Sequence, residues 1–282
     1  MKKILVLTDF SDHGAHALEY ACNLANNFNT EELDILNTYE IIPLYDTGET
    51  SHLSINLQQT EELESQRKVE LAKLIESIKP GLNPTVKVST HLSNTNLVDA
   101  VNDLCLSKNI NLVVMGIKVK GELEQVLLGS HVHRAIEKIE RPVLVVPVNA
   151  ELRTPDKVLL VTNFYESQNK VALQRLKTYL GKLDAPLVII HKLLKKENRE
   201  ETEKLAAGLV ESLKEFSPQL NIIDDENHLA ENVNRLATEH DASLVISLHK
   251  KRGFFSRIFH RSTTKYLAWH SRVPVLVLHF EA

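Results

Sequence analysis

Three strand ends in the first half of this 282-residue chain carry groups suited to holding a charged small molecule. Thr8 and Asp9 follow Ile4-Leu5-Val6-Leu7, and Thr38 and Tyr39 follow the run from Leu33 to Asn37. Gly116 follows Leu112-Val113-Val114-Met115 and opens a loop that reaches Gly129-Ser130 where a helical pattern begins. Free backbone N–H groups and the positive end of a helix dipole favour a phosphate at such a junction. Gly129 lets the backbone approach closely, and the Ser130 hydroxyl can donate to an oxygen or cap the helix. Lys118, Lys120 and His131 add positive charge. Each piece also has a plainer role. Gly-Ser before a helix is a common cap, an aspartate after a strand can cap the next helix, and loop lysines are ordinarily just solvated. The functional reading rests on their joint placement at one sheet edge, because ligands of open parallel sheets sit beyond the carboxyl ends of the strands.

Other chemistries lack their residues. The chain has no Ser-Gly-Gly-x-Asp-Ser loop, no His-x-Gly-His motif, no Gly-x-x-x-x-Gly-Lys-Ser loop and no Gly-x-Ser-x-Gly elbow. It therefore reads as a binding module rather than a dedicated enzyme. Thirteen histidines are many, yet none shows metal-ligand spacing. His131 and His133 are two apart on a helix and face different ways. His13 and His16 could pair, but no third ligand is evident, so no metal is expected. Cys22 and Cys105 each fall in an apolar helical stripe and read as buried, inert thiols.

The elements that must position these groups alternate between strand and helix. Ile4–Leu7 is an unbroken apolar run, as in a strand covered on both faces. Leu18, Ala21, Cys22, Leu24 and Ala25 form a helical stripe. A second strand is expected over Leu33–Thr38, and the polar stretch Ile41–Gln59, with Pro43, Gly48, Ser51 and Ser54, reads as a loop beside the sheet. Glu61–Ile78 reads as a charged helix, Val86–Thr90 as a strand, and Leu97, Val101 and Leu104 as the next helix. A strand before Gly116, a helix marked by Val132, Ala135, Ile136 and Ile139, and a strand after Pro142 complete the half. The class is α/β, a doubly wound parallel sheet of Rossmann-like type.

The pattern then repeats. An offset of 132 residues carries Leu112-Val113-Val114 onto Leu244-Val245-Ile246, Ser130 onto Ser262, and Pro142 onto Pro274. An offset of 154 carries Thr8-Asp9-Phe10 onto Thr162-Asn163-Phe164 and Leu36-Asn37-Thr38 onto Ile190-His191-Lys192. The difference leaves about 22 extra residues in the first half, between Thr38 and Leu97. Two tandem domains are expected, residues 1–150 with the candidate site and residues 151–282 as a degenerate copy. The linker Asn149–Pro155 is too short to let the halves drift apart.

Composition narrows the class of partner. Hydrophobic residues at 43% and charged residues at 25% are those of a soluble globular protein. A formal charge of −4 argues against nucleic acid as the main ligand. Apolar runs such as Val143–Val148 are far too short to span a bilayer. Thr8-Asp9-Phe10-Ser11-Asp12 interrupts the N-terminal apolar run before a signal-peptide core can form, so no membrane and a cytoplasmic location are expected.

Lys3-Ile4-Leu5-Val6-Leu7-Thr8-Asp9-Phe10-Ser11, Val113-Val114-Met115-Gly116, Leu127-Leu128-Gly129-Ser130 and Arg141-Pro142-Val143-Leu144-Val145-Val146-Pro147 together resemble the universal stress protein family. The resemblance covers nearly the whole chain as two tandem copies. It implies a five-stranded parallel α/β sandwich whose nucleotide-binding members hold ATP with a Gly-x-x-Gly loop followed by Gly-Ser or Gly-Thr. Because the family dimerises through its last strand, it also implies that Val143–Val146 and Val275–Leu278 pair within this chain as a pseudo-dimer, hiding two aggregation-prone edges. It further implies that adenine and ribose meet Asp9 and the backbone at Thr38, with phosphates at Gly116, Gly129, Ser130 and His131. One position departs, since Val119 stands where the family has its second glycine, a steric objection to a wrapped triphosphate. The second half departs more. Leu248, Lys251 and Arg261 occupy the glycine positions, Asn163 replaces Asp9, and Lys192 replaces Thr38. Its loop from Lys250 to Arg261 is basic and aromatic, a composition open to single-stranded nucleic acid or to an anionic surface, but the acidic overall charge favours simple packing of the phenylalanines with the charges facing water. The expectation is a module responsive to ATP or another adenine nucleotide. Its rivals are a nucleotide-free scaffold for protein partners and a slow ATP hydrolase. Association of two chains as a homodimer stays open.

Overall fold

A computed structural model describes residues 1–39, 51–118, 130–164, 169–193, 197–224, 229–251 and 271–281. Half one runs β1 (Lys3–Leu7), α1 (Asp12–Asn27), β2 (Glu32–Thr38), α2 (Ser51–Ile78), β3 (Lys87–Ser93), α3 (Leu97–Ser107), β4 (Leu112–Ile117), α4 (Ser130–Lys138) and β5 (Val143–Pro147). Half two runs β6 (Val158–Val161), α5 (Lys170–Leu183), β7 (Leu187–Lys192), α6 (Arg199–Ser212), β8 (Gln219–Ile223), α7 (Leu229–Glu239), β9 (Leu244–Lys251) and β10 (Val275–Glu281).

The strands form one ten-stranded sheet, ordered β3-β2-β1-β4-β5-β10-β9-β6-β7-β8. Pairing is parallel within each half and antiparallel only between β5 and β10, where Val145, Leu144 and Val143 face Val275, Leu276 and Val277. The expected intrachain pseudo-dimer is therefore present, and the two most apolar edges cover each other. Alternation along the strands feeds two cores. Ile4 and Val6 face one side with α1, α2, α5 and α6, while Leu5 and Leu7 face the other with α3, α4 and α7. Both cores run through both halves. Cys22 and Cys105 are buried in them, and burial pushes both thiols up to about 12.

The linker is fastened rather than loose. His16 Nε2 lies 2.8 Å from Ala150 O, Asn23 donates to Leu152 O, and Arg153 reaches Asp241 of half two at 3.0 Å. The phenol of Tyr179 on α5 donates to Asn111 O of half one at 2.8 Å.

Three features differ from the expectation. Residues 51–59 are not a loop beside the sheet, because α2 begins at Ser51 and continues unbroken to Ile78. Pro43 and Gly48 lie outside the described residues. In the repeat frame α6 corresponds to residues 67–80, so the extra residues of half one lengthen α2 by sixteen at its N-terminal end, Ser51–Gln66. That is about 24 Å of added helix. Polar serines do not forbid a helix when the segment continues a long charged one. The third strand starts and ends later than expected, at Lys87 and Ser93. Finally, Lys250 and Lys251 belong to β9 rather than to a loop, paired in register with Phe280 and Glu281.

Candidate functional site

At the carboxyl edge of half one, the ends of β2, β1 and β4 lie side by side, with Leu7 in register with Leu36 on one side and Met115 on the other. The β1–α1 turn is built by its own polar groups. Thr8 N–H donates to Leu36 O at 2.9 Å, and the Thr8 hydroxyl accepts from Phe10 N–H at 3.1 Å. Phe10 thereby adopts the left-handed conformation, φ 64°, which a non-glycine residue takes only when its surroundings hold it there. Ser11 caps α1 by accepting from Gly14 N–H at 3.2 Å. Asp9 is therefore not the cap. Its exposed carboxylate accepts from the Ser11 N–H at 3.1 Å and from the Ser11 hydroxyl, and Oδ2 lies 3.4 Å from His13 Nε2. Desolvation raises its pKa, but the bonds from Ser11 and the neighbouring His13 outweigh this, leaving it below the ordinary carboxylate value. Asp9 is thus a fixed anion and acceptor at the carboxyl end of β1.

Thr38 ends β2 opposite Ser93, and Tyr39 N–H then donates to Ser93 O at 3.0 Å. Gly116 sits in the last turn of β4's pairing, not in the loop, and its reason is local. A Cβ built there would collide with the His13 carbonyl in the first turn of α1, so only glycine lets the strand and helix approach. Lys118 is the exposed residue where the chain leaves β4, and Ser130 and His131 open α4. Gly129, Val119, Lys120 and Gly121 lie outside the described residues, as does the loop from Arg252 to Arg261. The structure therefore gathers Thr8, Asp9, Thr38 and Gly116 at one edge and starts α4 at Ser130.

Half two repeats the frame with different residues at its edge. Thr162 N–H donates to Ile190 O at 3.1 Å, and Phe164 N–H donates to Thr162 Oγ1 at 3.2 Å. Phe164 has φ 59°, the twin of Phe10. Yet α5 starts at Lys170, four residues later in the repeat than α1 at Asp12. Leu248, 3% exposed, stands where half one needs Gly116. Where half one leaves the sheet after Ile117, β9 runs on through Lys250 and Lys251.

Two residues near the edge escaped the sequence reading. Asn37 Nδ2 donates to Thr8 O at 2.8 Å, which fixes the amide because a carbonyl only accepts. Its Oδ1 is buried without a hydrogen-bond partner among the described residues. Such an acceptor fits a ligand that brings a donor, as a nucleotide's base or ribose does. Arg67 of α2 places its guanidinium 5.1 Å from the centroid of the Phe10 ring. Beside it, Tyr39 Oη lies 3.5 Å from Glu64, which pairs with Lys68. A third cluster lies deeper. Asp34 on β2 is 1% exposed and accepts from His91 Nε2 and Lys108 Nζ, both at 2.6 Å. The only signal for it was an aspartate inside the apolar run Leu33-Asp34-Ile35-Leu36.

Comparisons with known proteins agree with this architecture. The sequence model of the universal stress protein family matches residues 1–147 and again residues 155–279. Universal stress protein MJ0531 of Methanocaldococcus jannaschii is 31% identical over 147 residues, spanning 51% of this chain and 81% of that protein. The crystal structure of a universal stress protein from Archaeoglobus fulgidus superposes with a TM-score of 0.68 at 20% identity, covering 98% of both chains. A functionally unknown protein from Pseudomonas aeruginosa PAO1 superposes at 0.55 with 15% identity, over 99% of this chain and 92% of that one. These two likenesses concern the fold.

Proposed function

The chain belongs to the universal stress protein family, and from that premise we propose that half one is an adenine-nucleotide-responsive binding module, serving a cytoplasmic stress response. Half two is its structural or partner-binding counterpart. The observation that carries this reading is the asymmetry between two strand edges descended from one. Half one keeps an exposed anionic Asp9, a glycine at the end of β4, a chain that leaves the sheet after Ile117, and a helix that begins at Ser130. Half two sets Leu248 and a longer β9 in the same place.

The chemistry follows from those groups. Asp9 offers carboxylate lone pairs to ribose hydroxyls, and the backbone at Thr38 lies where the adenine would sit. The N-terminus of α4, with Gly129, Ser130, His131 and Lys118, offers N–H groups and positive charge to phosphate. No helix among the described residues is long and apolar enough to cross a membrane.

Calorimetric titration of the purified chain with AMP, ADP and ATP tests the reading. Binding that is lost in Gly129→Asp and retained in Arg261→Asp supports a site in half one. No heat at millimolar ligand would leave only the scaffold.

A further inference from the structure

Half one leaves a hydrogen-bond acceptor and a hydrogen-bond donor on the same wall without a partner among the described residues, whereas the side chains at the matching positions of half two are paired. The acceptor is Asn37 Oδ1 and the donor is Arg67 Nε–H, each buried and without a partner among the described residues. Thr8 brings the wall together. Its carbonyl takes Asn37 Nδ2 and its hydroxyl takes the N–H of Phe10, whose ring lies under the Arg67 guanidinium. Arg67 uses Nη1 on Glu70 at 3.2 Å, which leaves Nε–H uncommitted.

The duplicated positions show that this is not forced by the fold. At the 154 offset, Asn37 becomes His191, whose Nδ1 lies 2.9 Å from Thr162 O and whose Nε2 lies 3.0 Å from Glu197. At the 132 offset, Arg67 becomes Arg199, whose Nε donates to Glu203 at 3.2 Å and whose Nη1 donates to Asp224 at 3.3 Å. The imidazole of His191 lies 4.4 Å from the Phe164 ring, filling the place beside it. A buried donor or acceptor left unmade costs roughly 1–3 kcal/mol. Two on one wall, where the matching side chains of the sister copy are paired, mark a place that a ligand completes.

We propose that Asn37 and Arg67 together read the base of the nucleotide in half one. Asn37 Oδ1 accepts from the exocyclic amine of an adenine-type base, and Arg67 Nε–H donates to the adjoining ring nitrogen. The proposal rests on the nucleotide site assigned to half one above. An adenine edge presents a donor beside an acceptor, which matches this pair. The hypoxanthine edge presents an acceptor beside a donor, which opposes it at both positions. Arg67 is the movable member, a long side chain about a third exposed (31%) on the helix that carries the insertion.

The test is titration of the full chain with AMP, IMP and purine riboside 5′-monophosphate, which lacks the amine. The proposal expects AMP to bind at least about tenfold more tightly than either of the others, the effect of one such bond. Asn37→Leu and Arg67→Met should each pull the AMP to IMP ratio toward one. Arg67→Met is the safer variant for folding, since it keeps the arm over Phe10. Equal binding of AMP and IMP by the unaltered chain overturns the proposal and leaves the nucleotide site standing. A ratio unchanged in both variants overturns it as well. Failure of every nucleotide to bind removes this proposal and the reading beneath it together.

Discussion

Asp9, Ser11, Gly116 and Asn37 show how few side chains decide what the first strand edge can do. Ser11 both caps α1 and holds the Asp9 carboxylate. Ser11→Ala should therefore cost about 1 kcal/mol of stability and weaken nucleotide binding as well. Urea unfolding and titration of the same sample read the two effects. At Gly116 the prediction is purely steric. Gly116→Ala must displace the first turn of α1 and should destabilise by about 2 kcal/mol or more, whereas Gly81→Ala, with open space around it, should change stability by less than about 1 kcal/mol. Equal effects in chemical denaturation would contradict the packing role. Sequence spacing pointed to Thr8, Asp9, Thr38 and Gly116 because strand ends collect ligands in this class of sheet. It did not reveal that Gly116 answers to His13, or that Asn37 Oδ1 is buried with no partner among the described residues. Both depend on which backbone group lies opposite, and strand and helix periodicity contain no such information.

Elements account for the rest of the misreading. Apolar runs pointed to β1, β2, β4 and β5, alternation pointed to β3 with its bounds displaced, and the helical stripes pointed to α1, α3 and α4. The start of α2 was hidden because Ser51–Gln59 carries polar residues on a helix whose partly exposed body needs little apolar surface to continue. The sheet's outer strands conceal a more consequential feature, the Asp34 cluster that ties β2 to β3 and to the end of α3. Desolvation raises the Asp34 carboxyl's pKa, but the His91 and Lys108 bonds overcome this and hold it below its ordinary value of 3.8. Its contribution to stability is therefore fully present above that value and is lost as pH falls further, through the lower value it has in the fold. Removing one partner of a buried ion pair costs about 3–5 kcal/mol, so Asp34→Ala should lose that much at neutral pH. The acid-dependent loss between pH 5 and pH 2, followed by thermal unfolding, should be shallower in the variant than in the unaltered chain. Parallel pH profiles would count against the cluster.

At the scale of the molecule, one antiparallel junction turns two five-stranded halves into a continuous sheet with two shared cores. The family resemblance made this pairing legible, since it implied that the last strands Val143–Val146 and Val275–Leu278 meet, and doing so hides two apolar edges. Leu276, 1% exposed and paired with Leu144, sits at its centre. Leu276→Ala should cost about 2–5 kcal/mol, and unfolding should stay a single transition because both cores cross the junction. Two resolved transitions in denaturant would show halves that fold apart. The duplicated frame also makes the central claim countable, since the same Thr-x-Phe turn exists twice while Gly116 near the end of β4 has Leu248 as its counterpart. Isothermal titration of AMP into the intact chain measures this most directly. The account predicts one nucleotide per chain, lost in Asp9→Ala and untouched in Asn163→Ala. Two nucleotides per chain, or a single site abolished by Asn163→Ala and indifferent to Asp9→Ala, would contradict it.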